Sequence, residues 1–178
     1  CRFGRHGRVE ATYEGVQTLR CDSPPISTTY SLDVDEANGL SRTVVVSITI
    51  NDQDYVPVAG FQYFMEPIIS TILPPTGPIK GGSSVVVTGS SSFAMPEAGQ
   101  EAHYATYVCQ IADLRFPAVR TPERDHELVC ITPEYNLTDA ARHGFSGGEG
   151  LYDLPFTVSL NGQQFTPRAP IITYAAEE

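Results

Sequence analysis

The segment that decides the fold is VVVSITINDQDYVPVAGFQYF, residues 44–64, because a later segment repeats its pattern. Residues 154–174 read LPFTVSLNGQQFTPRAPIITY and align with it at an offset of 110 residues. The matched pairs are Asn51 with Asn161, Gln53 with Gln163, Tyr55 with Phe165, and Pro57 with Pro167. A turn, an aromatic residue and a proline that recur in one order predict two copies of one module.

The cysteines extend this repeat toward the start of the chain. Cys1 and Cys21 correspond to Cys109 and Cys130, at offsets of 108 and 109 residues. The second module has about 42 residues before its first cysteine, and the first module has none. We therefore expect a first module over 1–64 that lacks its N-terminal strands and a complete module over 67–178. The same asymmetry predicts a piece of a longer, repetitive protein.

Apolar and polar residues alternate in the repeated segments, which is typical of half-buried antiparallel strands. In TVVVSITIND the alternation places Val44, Val46, Ile48 and Ile50 on one face. In PFTVSLNG it places Phe156, Val158 and Leu160 on one face. These positions are the predicted core faces of two equivalent strands.

Turn signals separate the predicted strands. Asn161-Gly162 is a strong signal for a two-residue hairpin, because both residues tolerate positive φ. SSVVVTG, residues 83–89, is a further short strand between glycines. No long segment has a helical period, and β-branched residues dominate the strands. Short strands with regular Gly and Pro turns predict an all-β fold of the β-sandwich type.

The charge balance excludes some classes of partner. The formal net charge is −10, and Lys80 is the only lysine. An acidic surface repels phosphate backbones and anionic lipid, so we expect no nucleic-acid binding. No apolar run approaches the roughly 18 residues of a membrane span, so we expect no direct membrane insertion in this fragment.

One segment carries a family resemblance. PPTGPIKGGSSVVVTGSSSF, residues 74–93, resembles the opening of an IPT/TIG domain, an immunoglobulin-like module of plexins, scatter-factor receptors and Rel-type transcription factors. The matching positions are Pro74, Gly77, Pro78, Gly81, Gly82, Val85, Val87, Gly89 and Phe93, with one extra serine before the phenylalanine. CRFG and LRCDSPP are similar to the extracellular, disulfide-bearing type. The resemblance implies two tandem immunoglobulin-like sandwiches; CITPEY and an insertion over 136–153 depart from the family pattern.

The four cysteines and one sequon bear on the compartment. Nearly equal spacing of the two cysteine pairs favours the disulfides Cys1–Cys21 and Cys109–Cys130, and the alternative is four buried free thiols in a cytosolic protein. Zinc fits poorly, because each pair lacks the close spacing of a zinc site. Asn136-Leu137-Thr138 is an N-glycosylation sequon. Together these features predict an extracellular or cell-surface protein.

Motifs for catalysis or metal binding match poorly. GFSGG, residues 144–148, with Ser146 and the nearby His143, formally fits a nucleophile elbow but lacks the flanking strand and helix. DVDEANG, residues 33–39, departs from the EF-hand pattern, as position 12 is Val44. A loop calcium site there or at NDQD (51–54) stays an alternative to solvated acidic loops. We expect no enzyme activity, no cofactor and no metal site.

The remaining motif is RFGRHGR, residues 2–8, a basic patch in an acidic chain. It fits an acidic neighbour or a sulfated glycan, and the alternative is solvated loop arginines. The partners we expect are other proteins or neighbouring modules, with a glycan as a further candidate. Loops 94–106 and 136–153 are the predicted contact regions.

Taken together, these patterns indicate a non-enzymatic fragment of an extracellular multi-module protein that acts in adhesion, recognition or structural assembly. The resemblance implies two alternatives. One is the stalk region of a plexin-like signalling receptor ectodomain, and the other is an accessory module of a carbohydrate-active enzyme.

Overall fold

The computed structural model describes residues 1–25, 41–64, 66–90, 93, 106–136, 150–167 and 169–175. These residues form fourteen strands and contain no helix. The predicted all-β class is therefore confirmed. Residue contacts divide the chain into two compact units, of which one begins at Cys1 and the other at Glu66. Each unit is described by itself.

The first unit has a four-stranded sheet and a separate hairpin. The sheet order is β2-β1-β5-β6, and all of its pairings are antiparallel. The hairpin joins β3 and β4. The strands are β1 (Arg2–Phe3), β2 (Gly7–Arg8), β3 (Thr12–Gly15), β4 (Thr18–Arg20), β5 (Ser41–Ile48) and β6 (Val56–Phe64).

Aromatic contacts fill the core of the first unit. Phe3 and Val44 are buried, and the ring of Phe61 meets the ring of Phe3 edge to face with centroids 5.3 Å apart. The prediction that Ile50 faces the core was wrong, since its side chain is fully exposed. The reason is local: the pairing register shifts after Val46, and β5 has ended before residue 50 is reached.

The second unit has eight strands in one continuous hydrogen-bonded sheet of order β7-β9-β12-β11-β10-β13-β14-β8. All pairings are antiparallel except the one between β14 and β8. The strands are β7 (Ile69–Leu73), β8 (Thr76–Pro78), β9 (Ser84–Gly89), β10 (Val108–Ile111), β11 (Leu114–Arg120), β12 (Glu127–Ile131), β13 (Leu151–Ser159) and β14 (Ile171–Ala175).

This sheet folds over on itself at β11. The first part of β11 pairs with β10, and its last three residues pair with β12. In a flat sheet, strands on either side of a third lie about 9.5 Å apart. The Cα atoms of Cys109 on β10 and Cys130 on β12 are only 6.5 Å apart. The two strands therefore face each other across two layers, as in the predicted β-sandwich.

The core of the second unit lies between these layers. Phe156 and Val158 have no exposed surface, and Leu160 is 4% exposed, as the alternation predicted. Each such side chain stabilises the fold by about 1.5–3 kcal/mol through burial. Other side chains with no exposed surface are Val85, Val87, Phe93, Ile111, Leu128, Leu154 and Tyr174.

The hairpin predicted at Asn161-Gly162 is not a two-residue hairpin, because β13 ends at Ser159 and its partner β14 begins only at Ile171. Instead, Asn161 Oδ1 accepts hydrogen bonds from the backbone N–H groups of Gln163 (3.0 Å) and Gln164 (3.2 Å). Asparagine favours such side-chain turns, which replace backbone pairing. Gly162 has the positive φ of 75° that the turn requires.

The same turn occurs in the first unit. Asn51 Oδ1 accepts hydrogen bonds from the N–H groups of Gln53 and Asp54, both at 3.0 Å. Asp52 there has a φ of 56°, in the position that Gly162 holds in the second unit. The two units thus have equivalent turns, and only one of them places a glycine at the left-handed residue.

The last strands of the two units correspond with a one-residue shift from the ungapped alignment. That alignment matched Phe64 with Tyr174. In the structure the hydroxyl of Tyr174 donates to the carbonyl oxygen of Pro133 (3.2 Å), and that of Tyr63 donates to Pro24 (2.8 Å). Both prolines lie three residues after a cysteine. Tyr63 is therefore the counterpart of Tyr174.

Candidate functional site: an arginine pocket in the first unit

A cavity of about 300 Å³ lies at the hairpin of β1 and β2 and is lined by Arg2, Gly4, Arg5, Gly7, Arg8 and Tyr55. Arg2 and Arg8 are directly opposite in the strand pair, so both side chains project from neighbouring strands. Gly4 turns the chain with a φ of 51°, and its N–H donates to Val45 (2.9 Å). The hairpin thereby gathers three guanidinium groups around one cavity, here called the arginine pocket.

Two of these arginines are held by residues from the turn after β5. The guanidinium of Arg2 lies over the ring of Tyr55, 4.1 Å from its centroid. Arg8 Nη1 donates to both carboxylate oxygens of Asp52, at 2.9 and 3.1 Å. The hydroxyl of Tyr55 donates a hydrogen bond to the same carboxylate. The side chains are exposed, so these contacts orient the arginines more than they stabilise the fold.

The electrostatics of the pocket follow from these contacts. The Tyr55 hydroxyl, through its hydrogen bond, and the Arg8 guanidinium, through a hydrogen bond and its charge, both lower the pKa of Asp52. The hydrogen bonds of Arg8 with Tyr55 and Asp52, and the charge of Asp52, raise the pKa of Arg8. Three guanidinium groups and one carboxylate leave two net positive charges here, in a chain of net charge −10. Arg5 forms no ion pair with the described residues, so its charge is available to a ligand.

The corresponding hairpin of the second unit has a similar backbone and different charges. Ala112 has the same φ, 51°, as Gly4. Arg115 lies over the ring of Phe165, 4.6 Å from its centroid, and pairs across the ladder with Gln110. The turn carries Asp113. The stack of arginine on an aromatic ring recurs, whereas the cluster of three arginines belongs to the first unit.

Sequence analysis found the arginines of this pocket but missed Asp52 and Tyr55 as parts of it. They lie 44 and 47 residues from Arg8 in the chain. A calcium loop is one interpretation of the acidic segment 51–54 in the sequence. In the structure Asp52 contacts Arg8 and Tyr55, and Asp54 accepts a hydrogen bond from Asn51 Nδ2 (3.0 Å). No local pattern marks Tyr55 as a partner of the arginines.

All four cysteines are paired, Cys1 with Cys21 and Cys109 with Cys130. Cys1 directly precedes β1, and Cys21 directly follows β4. Their Cα atoms are 6.3 Å apart. In the second unit the bridge joins β10 to β12, and both cysteines have no exposed surface. Each unit thus has one disulfide between two strands or strand ends.

The other predicted sites are described only in part. Asn136 of the sequon is exposed and follows the buried Tyr135. The rest of the triplet, Ser146, His143 and residues 33–39 lie outside the described residues, as do most of loops 94–106 and 136–153. Within the described ranges, no group of three His, Cys, Asp or Glu residues is arranged to hold a metal ion. In that same part of the chain no helix has the length and apolar character to cross a membrane.

Comparisons with known proteins give a partial likeness to a solved structure. No protein-family model matches the chain, and no curated protein matches it by sequence. Among solved structures, the chain is similar to the full extracellular region of plexin A4, with a TM-score of 0.44 and 12% sequence identity. The match covers 98% of this chain and 23% of that chain.

Proposed function

We propose that this chain is a non-enzymatic part of an extracellular, multi-module protein that acts in cell-surface adhesion, recognition or structural assembly. The observation that carries the proposal is the presence of one disulfide in each of two β units. Disulfides form and persist in oxidising compartments and are rare in the cytosol. The exposed side chain of Asn136, at the head of a sequon, is consistent with the same compartment.

The two units act, in this proposal, as copies of one IPT/TIG-like module. The equivalent turns at Asn51 and Asn161 support this relation, as do the equivalent bonds from Tyr63 and Tyr174. Each disulfide closes a loop of about 20 residues, which contributes about 3 kcal/mol in the chain-entropy model. Stabilised in this way, each unit is a rigid frame on which loops and charged patches are presented to other proteins or modules.

Two alternatives follow from the resemblance, and both concern the parent protein. A plexin-like receptor stalk requires a membrane span and an intracellular domain downstream of these units. An accessory module of a carbohydrate-active enzyme requires a catalytic domain elsewhere in the same polypeptide. Sequencing the parent protein separates these alternatives, because fold alone does not determine function.

The test of the extracellular assignment is non-reducing peptide mapping by mass spectrometry on the parent protein from its natural source. We expect cross-linked peptides that contain Cys1 with Cys21 and Cys109 with Cys130, and a glycan mass on the Asn136 peptide. A reduced sample is the control, in which the cross-linked peptides disappear. Free thiols together with an unmodified Asn136 would contradict the proposal and favour an intracellular scaffold.

A further inference from the structure

We propose that the arginine pocket of the first unit binds a sulfated glycan. This inference rests on the proposed extracellular function for the place where such a ligand is met, and it adds a ligand class and a site to that function. The cavity is open to solvent, and its volume of about 300 Å³ is at the lower end of the range for small-ligand sites. It admits a sulfate group together with part of the sugar ring that carries it.

The pocket offers the groups that recognise a sulfate. Guanidinium groups are planar and permanently charged, and they bind oxyanions through two parallel N–H donors. Arg2 and Arg8 project from opposite positions of the β1–β2 pair, and Arg5 lies in the turn that joins these strands. Gly4 and Gly7 also line the cavity, so part of its wall is backbone.

Two of the three arginines are positioned before any ligand arrives. Arg2 rests on the ring of Tyr55, and Arg8 is held by Asp52. Side chains that are already ordered lose less conformational entropy on binding, which favours affinity. Arg5 forms no ion pair with the part of the chain that the structure describes. It therefore supplies the charge that a ligand neutralises without breaking an existing contact.

The presence of Asp52 favours a sugar over an acidic peptide. Its carboxylate accepts hydrogen bonds, and the hydroxyl groups of a sulfated sugar donate them. The ionised carboxylates of an acidic peptide only accept hydrogen bonds, so they offer none to Asp52. The chain as a whole is acidic, so binding depends on the local cluster of arginines and weakens as salt screens it. A sulfated sugar satisfies both the arginines and Asp52.

The second unit provides an internal control for this assignment. Its corresponding hairpin has Gln110, Asp113 and Arg115. Arg115 holds the strand position of Arg8 and stacks on Phe165, whereas in the first unit Arg2 stacks on Tyr55. Arg115 Nε donates to Gln110 Oε1 at 3.0 Å. This hairpin has one arginine stacked on an aromatic ring and lacks the two further arginines that surround the cavity of the first unit. It is therefore not expected to bind a sulfated glycan.

The experiment is a titration of the oxidised 178-residue chain with a size-defined heparin oligosaccharide at low salt. Binding is measured by calorimetry and by changes in the amide chemical shifts. We expect saturable binding with shifts confined to the first unit. Arg5→Ala weakens the affinity for the oligosaccharide by about fivefold or more. Arg5→Lys keeps the positive charge and weakens this affinity by a smaller factor. Arg115→Ala leaves the affinity unchanged. Raising the salt weakens binding by the wild-type chain.

Four outcomes would overturn the proposal: no binding at low salt, equal loss with Arg115→Ala and Arg5→Ala, equal affinity for the desulfated oligosaccharide, or equally tight binding of a polyglutamate peptide. The last outcome assigns the pocket to an acidic protein partner. Each variant is compared with the wild-type chain by circular dichroism, so that loss of fold is recognised. The peptide mapping described above reads out disulfides and glycosylation, so it fails or succeeds independently of this titration.

Discussion

The hydroxyl of Tyr174 donates a hydrogen bond to the carbonyl oxygen of Pro133 across 3.2 Å, and Tyr63 makes the equivalent bond to Pro24 across 2.8 Å. Each bond ties the last strand of its unit to the segment that follows the second cysteine. The two sites differ in burial, because Tyr174 has no exposed surface whereas Tyr63 is half-buried.

This difference predicts unequal effects of two matched substitutions. Tyr174→Phe leaves the Pro133 carbonyl without this donor and lowers the free energy of unfolding of the second unit by about 1–2 kcal/mol. Tyr63→Phe costs the first unit less, because water replaces the lost donor at a half-exposed site. Native-state amide hydrogen exchange measures each unit separately. Equal losses in the two units would contradict this expectation.

The stability of the second unit depends on alkaline pH through the same residue. Burial raises the pKa of Tyr174 from its ordinary value of 10.0 to about 12. The unfolded chain loses this proton near pH 10, whereas the folded chain keeps it until about pH 12. The stabilisation is therefore fully present below pH 10 and is lost as the pH rises from 10 to 12. Urea denaturation across this range measures the fall, and Tyr174→Phe, as the control, flattens it. An unchanged slope in that variant would assign the pH dependence to other groups.

Two leucines that each lie two residues before a cysteine differ in burial. Leu128 has no exposed surface and is opposite Val87 of β9, whereas Leu19 is 40% exposed. We expect Leu128→Ala to lower the free energy of unfolding of the second unit by about 2–5 kcal/mol. Leu19→Ala, its matched control, costs the first unit about 1 kcal/mol or less. Hydrogen exchange separates the two effects, and similar losses would show that Leu19 is buried in solution.

We expect alanine substitution at two adjacent glycines, Gly81 and Gly82, to destabilise the second unit by different amounts. A Cβ atom on Gly81 clashes with the carbonyl group of Pro133 and lies 2.6 Å from the backbone oxygen of Thr132. A Cβ on Gly82 meets nothing within 4 Å. Both residues have positive φ, 74° and 81°, so both variants carry the backbone strain of about 1–2 kcal/mol. We expect Gly81→Ala to lower the free energy of unfolding by more than about 3 kcal/mol and Gly82→Ala only by the strain. Thermal denaturation compares them, and equal melting temperatures would disprove the clash.

The carboxyl of Asp52 reports on the integrity of the arginine pocket. Its pKa lies below the ordinary 3.8 because Tyr55 and Arg8 both bond to the ionised form. Tyr55→Phe removes the hydrogen bond from Tyr55 and raises the pKa of Asp52. Arg8→Ala removes the other hydrogen bond together with the positive charge and also raises this pKa. Side-chain carboxyl chemical shifts followed from neutral to acidic pH measure the change. Arg124→Ala, a distant surface variant that breaks an ion pair with Glu127, is the control and leaves the pKa of Asp52 unchanged.

Several features of the fold were predictable because they are local. Alternation over residues 154–160 indicated the buried face of β13, and the short strand at 83–89 was found where Val85 and Val87 are buried. The prediction for Ile50 was wrong because the alternation of apolar residues indicates neither the register shift nor the end of β5. The hairpin prediction failed because Asn-Gly is compatible both with a hairpin and with a side-chain turn.

Of the candidate site, only the arginines were predictable from the sequence. The run of arginines in 2–8 is visible in the sequence, and its opposing strand positions follow from a short hairpin. Asp52 and Tyr55 were not assigned to it, because their contacts with Arg8 span 44 and 47 residues. Contacts of that separation depend on how β1 pairs with β5, which a single sequence does not reveal.

The sequence by itself determined the all-β class, the recurring pattern in the two halves and the basic patch, because periodicity, turn residues and local clusters of charge are properties of neighbouring residues. Only the tertiary structure decided where the sheet folds over, which tyrosine matches which, and which acidic and aromatic residues orient the arginines. These outcomes depend on strand register and on the packing of distant segments, where a shift of one residue changes which side chains meet.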